Sequence, residues 1–203
     1  MDSKHSAWER IFAEEYDVSL ESAGDQIDQW LDEFATQDSF EEFYEETVEN
    51  SDEAKFVPGK NRAYSVRNAA EGEPLNCEGK SFVTALAGME RYGKEFELLV
   101  DYQVDDRMGM PENILSHHVT ARDAEGTVYG SRQEGLNSFD RLSGDDFAAL
   151  YFVSEAKTAE QNGELDEAER LRNEAQDLRN GSSYIGRRLH ENTQSVRGRR
   201  GRV

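Results

Sequence analysis

The sequence predicts an α+β fold, and three observations carry that expectation. Apolar residues recur at helical spacing through the first fifty positions. A helix that is apolar on most faces begins at Cys77 and is followed by strand-type alternation. From Asp145 onward the helical spacing returns. Together they give an N-terminal helical layer, a buried Cys-bearing helix packed on a small antiparallel sheet, and a C-terminal helical hairpin. The expected organisation is an acidic helical region over 1–54, an α+β core over 55–144, a hairpin over 145–181 and a flexible Arg-rich tail over 182–203.

Ser6 with Glu9 forms a capping-box pattern ahead of Trp8, Ile11 and Phe12, which predicts the first helix. Ile27, Trp30, Leu31 and Phe34 stand at i, i+3, i+4 and i+7 and predict a second. A third begins at Ser39, with Glu42 three residues on, and presents Phe40, Phe43, Tyr44 and Val48. Most of the other positions are Asp or Glu, the composition of a solvated face. Residues 51 to 75 are polar and carry Pro58-Gly59 and Glu73-Pro74, so they read as loop.

Asn76 is a good N-cap, which puts Cys77 at the first helical position. Phe82, Val83, Leu86 and Met89, interleaved with Ser81, Ala85, Ala87 and Gly88, make the helix apolar nearly all round, and such a helix is buried. Gly93 is its expected stop. Phe96 to Val104 reads as a strand, and Asp105 to Ser116 as a polar connection. His118 to Arg122 and Thr127 to Gln133, joined by Asp123-Ala124-Glu125-Gly126, read as a hairpin. Phe147, Leu150, Tyr151 and Val153 open the next helix, Gln161-Asn162-Gly163 breaks it, and Leu165, Ala168, Leu171, Ala175 and Leu178 form its partner. Asn162 to Glu169 looks like half of a tetratricopeptide unit, in one copy, so no repeat array is implied.

A cysteine at the start of a buried helix, with a histidine on a later strand, has the parts of a nucleophile and its base. Only the thiolate attacks, and a helix N-terminus lowers the thiol pKa through its unpaired N–H groups. An imidazole can take the proton and later return it to the leaving group. Glu78, beside the thiol, acts in the opposite direction. Of the adjacent His117 and His118, both candidates for the base, His118 shares with Thr120 and Arg122 the side of the strand opposite Val119 and Ala121. The adjacent pair would point to opposite sides, a poor geometry for one metal. No phosphate loop, paired-Cys motif, calcium-loop spacing or other cofactor signature is present, so no cofactor is expected.

With these residues in view, the chain resembles the transglutaminase-like superfamily of papain-like cysteine hydrolases. The resemblance rests on Leu75-Asn76-Cys77-Glu78-Gly79-Lys80-Ser81, Phe96-Glu97-Leu98-Leu99-Val100, His118-Val119-Thr120-Ala121-Arg122 and Gly126-Thr127-Val128-Tyr129. It covers roughly residues 70 to 180. It implies Cys77 as nucleophile and His118 as base, acting on an amide bond as a peptidase, deamidase or transglutaminase. The family's orienting Asp lies four residues after an aromatic, and Tyr129 plus four is Gln133; Asn137 or Asp140 could act from the following loop. The alternative is a catalytically inactive fold of this type used as a binding or assembly module, including a virion component of a halophilic virus.

Composition sets the setting. Asp and Glu total 43 against 23 Lys and Arg, a formal net charge of −20. Only Lys4, Lys55, Lys60, Lys80, Lys94 and Lys157 are lysines. Many carboxylates, little Lys and a pI near 4.5 resemble proteins of a salt-rich archaeal cytoplasm, where ionic strength screens self-repulsion. The single cysteine excludes an intramolecular disulfide. No long apolar run predicts a membrane span, and the first residues lack a signal-peptide core. The expectation is a cytoplasmic protein, or one inside a virus particle, that meets a protein or peptide substrate or an assembly partner. Arg187, Arg188, Arg197, Arg199, Arg200 and Arg202, facing the single acid Glu191, add a weak nucleic-acid contact that salt would reduce.

Overall fold

The computed structural model describes residues 6–50, 65–105, 113–130 and 135–200. Pro58-Gly59 and Gln133 lie outside the described residues. Among those described, the fold is mixed α+β, with eight α-helices and one four-stranded antiparallel sheet of order β3-β2-β1-β4. The strands are β1 (Phe96–Asp105), β2 (Asn113–Asp123), β3 (Val128–Tyr129) and β4 (Ser138–Leu142). The chain forms two compact units. The first takes the described residues up to 99 together with 119–130; the second takes 100–105, 113–118 and 135–200.

The first unit opens with α1 (Ala7–Tyr16), where the Ser6–Glu9 capping box forms as expected. Then come α2 (Ala23–Phe34), the short α3 (Phe40–Phe43) and a π-helical segment, Tyr44–Glu49. Ser39 accepts a hydrogen bond from the Glu42 N–H at the start of α3. Apolar residues of these helices interlock as rings. Phe12 meets Trp30 edge-on at 6.0 Å, Trp30 meets Phe34 at 4.6 Å, and Phe34 meets Phe43 at 5.8 Å. Phe40 is the hub of a second cluster, with Tyr129 at 5.1 Å, Phe96 at 5.3 Å and Tyr92 at 5.9 Å. Such off-parallel pairs add stabilisation beyond the area they bury. The Lys94 ammonium lies 5.1 Å from the Phe40 ring and pairs with Glu41 at 3.0 Å.

The short α4 (Val66–Ala70) could not persist alone. It is held at its first turn through backbone donors and an acceptor alike. The buried Glu15 carboxylate accepts from Ser65 Oγ at 2.7 Å, Val66 N at 3.1 Å and Arg67 N at 2.8 Å. The Trp30 indole donates to the Val66 carbonyl at 2.9 Å. α5 (Cys77–Glu90) follows, with ten of its residues buried, as expected for a helix apolar on most faces. Gly88 lets the Phe96 ring lie on the helix: a Cβ there would stand 2.2 Å from Phe96 Cε2. β2 and β3 pair antiparallel with Ala121 opposite Tyr129 and Arg122 opposite Val128, which is the expected hairpin. The Asp123 carboxylate closes its turn, accepting from Thr127 N at 2.7 Å and Tyr129 Oη at 3.0 Å.

The second unit contains the hairpin of α6 (Gly144–Asn162) and α7 (Leu165–Leu178). Gly163 ends α6 at φ 86°, the left-handed stop that glycine supplies without strain. Phe147, Leu150, Tyr151 and Val153 are buried on α6, and Ala168, Leu171 and Ala175 on α7. Arg172 and Glu160 form a buried pair at 2.6 Å.

Several elements depart from expectation. α4 forms within the stretch expected to be loop, and β2 begins at Asn113, inside the expected polar connection. β4 was not anticipated: Phe139 is exposed while Leu142 is buried, so Ser138–Leu142 carries only half of an alternating signal. The segment expected to be a flexible tail is instead α8 (Ser183–Arg200). Its first turns carry Tyr184, Ile185 and Leu189, all buried, and that apolar face is what the arginine-rich composition concealed.

Two substitutions test these supports by urea unfolding. Glu15→Ala strips the acceptor from three donors of α4 and should cost about 3 kcal/mol, with Glu15→Gln losing less. Gly88→Ala drives a methyl into the Phe96 ring and should cost about 1–3 kcal/mol by overpacking.

Candidate functional site

Cys77 occupies the first turn of α5 as the sequence predicts. The Asn76 side chain accepts from the Gly79 N–H at 2.8 Å, and this cap fixes where the helix starts. Four residues on, Ser81 Oγ donates to the Val119 carbonyl at 2.9 Å, tying the helix to β2. The Cys77 sulfur faces the backbone N–H groups of Val119, Glu78 and Cys77 itself.

The electrostatics run against activation. Burial pushes the Cys77 thiol up, the Glu78 carboxylate pushes it further, and the three N–H groups pull it down by less; the result is a pKa raised to about 11. Glu78 is itself 3% exposed, so its charge acts with little water between it and the sulfur. The helix N-terminus is in place, but its effect is the smaller one here.

The remaining expected members fall differently. His118 sits in the middle of β2, five residues after the strand begins at Asn113, rather than at its start. It belongs to the second unit and Cys77 to the first, the boundary falling between His118 and Val119. The Asn137 side-chain oxygen accepts from the Val104 N–H at 3.2 Å and so caps the edge of β1. Asp140 accepts from Ser182 Oγ at 2.8 Å, Ser183 Oγ at 3.0 Å and Tyr184 N at 2.8 Å, which makes it the cap of α8.

Two features were not legible beforehand. Thr120 is fully buried, and its hydroxyl finds no hydrogen-bond partner among the described residues. Val128 and Phe139, on the two outermost strands of the sheet, are exposed large apolar residues. Among the described residues, no group of three or more His, Cys, Asp or Glu is placed to hold a metal ion. No described helix is long and apolar enough to cross a membrane. No family model, curated protein or solved structure matches the chain.

The raised thiol makes a stability prediction. Its ordinary value is 9.0 and its folded value about 11. Between them the unfolded chain releases the proton while the folded chain keeps it. The stabilisation is therefore complete below pH 9 and is lost as pH rises toward 11. The difference in urea midpoint between the native protein and Cys77→Ser should be flat below about pH 8 and decline through that window.

Proposed function

We propose that the protein is a non-catalytic binding or assembly module, in which a transglutaminase-like arrangement of helix and strands has kept its cysteine as a half-buried structural thiol. The single observation that carries this reading is the setting of Cys77 at the head of α5 beside the buried Glu78 carboxylate, which together with burial raises the thiol pKa to about 11. At neutral pH such a thiol is almost entirely protonated, and a protonated thiol is a poor nucleophile. The uses found for Asn137 and Asp140 support the same reading, since both side chains serve backbone N–H groups.

The binding surface in this reading is the acidic helical face. On α2, Asp25, Asp28 and Asp32 are exposed, and Glu41, Glu42 and Glu45 are exposed on α3 and the π-helical segment. A partner that meets this face carries basic side chains, and its association is steered by charge and slowed by salt. The catalytic reading, with Cys77 attacking an amide carbon and His118 as base, draws on the N-terminal position of the thiol in α5. A halophilic setting, cellular or virion, agrees with the net charge of −20.

Alkylation of Cys77 against pH, in the native protein and in His118→Ala, separates the two readings. For a structural thiol the reaction stays slow through pH 9, rises only toward the folded value of about 11, and is the same in both proteins. A thiol titrating below its ordinary value of 9.0, with the shift lost in His118→Ala, overturns the proposal in favour of the catalytic pair.

A further inference from the structure

The chain holds two Asn-Gly pairs, Asn162-Gly163 and Asn180-Gly181, and both belong to the second unit. Asparagine is a thermolabile residue, because the next backbone nitrogen can reach its side-chain amide carbon and close a succinimide ring. A following glycine leaves that nitrogen unshielded by any Cβ and permits the backbone conformations that closure needs. All four residues are exposed. Exposure therefore does not separate the two pairs, but the hydrogen bonding of their backbones does.

Asn162 is the last residue of α6, and the Gly163 N–H donates to the Ala159 and Glu160 carbonyls. The last turn of the helix must open before that nitrogen can attack. Asn180 stands past the end of α7, outside any helix. Among the described residues, neither its side-chain amide nor the Gly181 N–H has a hydrogen-bond partner. The chain is nonetheless held on both sides of the Gly181 nitrogen. Asp146 Oδ1 accepts from Asn180 N at 2.9 Å and from Ser182 N at 3.4 Å. Gly181, at φ 89° between them, keeps its own N–H out of that pairing.

We infer that Asn180-Gly181 is a site of spontaneous deamidation, whose product loosens the docking of α8. The Gly181 nitrogen bonds to Asn180 Cγ, the Cγ–Nδ2 bond breaks, and Nδ2 leaves as ammonia, taking the proton that the Gly181 nitrogen gives up. Water then adds to one of the two carbonyls of the succinimide, and the nitrogen regains a proton as its bond to that carbon breaks. Opening at Cγ leaves an aspartyl residue. Opening at the main-chain carbonyl leaves an isoaspartyl link, in which the chain runs through Cβ and Cγ. The sum is one water consumed and one ammonia released, with no other reactant.

The consequence follows from what flanks the pair. An isoaspartyl link adds a carbon to the main chain between the two N–H groups that share Asp146 Oδ1, so both can no longer reach it in the native geometry. Either product also places a new carboxylate beside Asp146, and like charges repel. Asp146 thereby loses its hold on the approach to α8, the helix that buries Tyr184, Ile185 and Leu189. The inference stands on the second unit alone and does not depend on the state of Cys77.

The test ages the full chain in mildly alkaline buffer, folded and in urea, and maps it by mass spectrometry after peptic digestion in acid, which halts the reaction. In the folded chain the mass gain of an amide turned acid should appear at Asn180 about tenfold faster than at Asn162, where hydrogen bonds must open first. The Asn180 peptide should split into aspartyl and isoaspartyl isomers. In urea the two sites should react at similar rates. Asn180→Gln keeps the backbone N–H that Asp146 accepts and should stay intact. Amide exchange over the first turns of α8 should quicken in the aged native protein and not in aged Asn180→Gln. Equal or faster conversion at Asn162 in the folded chain overturns the inference. So does an Asn180 that survives while the urea sample converts, or an aspartyl product without its isomer. Exchange in α8 that is the same in modified and unmodified protein overturns the effect on docking.

Discussion

A buried carboxylate has to be met by donors, and in this protein the donors are backbone N–H groups at points where the chain turns or a helix begins. Glu15 holds the start of α4, Asp123 the β2–β3 turn, Asp146 the approach to α8, and Asp140 the first turn of α8 itself. Each position is one where the backbone has no partner of its own. The pairing works in both directions. The carboxylate supplies the acceptor that the amides lack, and it fixes the angle at which the next element leaves. For Asp123, burial pushes the pKa up, but the Thr127 and Tyr129 hydrogen bonds and the Lys94 charge carry it below the usual range. A chain so rich in acids thus uses a few of them as internal joints, while the rest cover the surface.

The same preference for oxygen on nitrogen accounts for the uneven yield of the sequence. Local signals were legible wherever one residue type has one physical use. Ser6 and Glu9 gave a capping box, Asn76 a cap that places Cys77 at the head of α5, and Gly163 a left-handed stop. The apolar spacing of α2 and the breadth of the apolar surface on α5 were equally direct. Elements defined by distant partners were not legible. α4 is five residues long and exists because Glu15 and Trp30 hold it. α8 hides three buried apolar side chains in an arginine-rich segment, and its cap, Asp140, lies more than forty residues away.

The candidate site divides along the same line. Position was readable: a cysteine at a helix start, and a strand beside it. State was not, because it depends on the balance of burial, Glu78 and three N–H groups around one sulfur. The helix N-terminus is a modest attraction that falls off within a turn, whereas burial and, after it, the Glu78 carboxylate both disfavour the thiolate. Asn137 and Asp140 illustrate the second half of the problem. Either could orient an imidazole on chemical grounds, but in the structure Asn137 accepts from the Val104 N–H and Asp140 from Ser182, Ser183 and Tyr184.

The arrangement of charge is consistent with a protein whose contacts are made by surfaces rather than by a reactive group. Carboxylates spread over α2, α3 and the π-helical segment give one sign, and the turn into α8 gives the other. In strong salt, distributed surface charge is screened within a few ångströms, so a broad acidic face loses much of its reach.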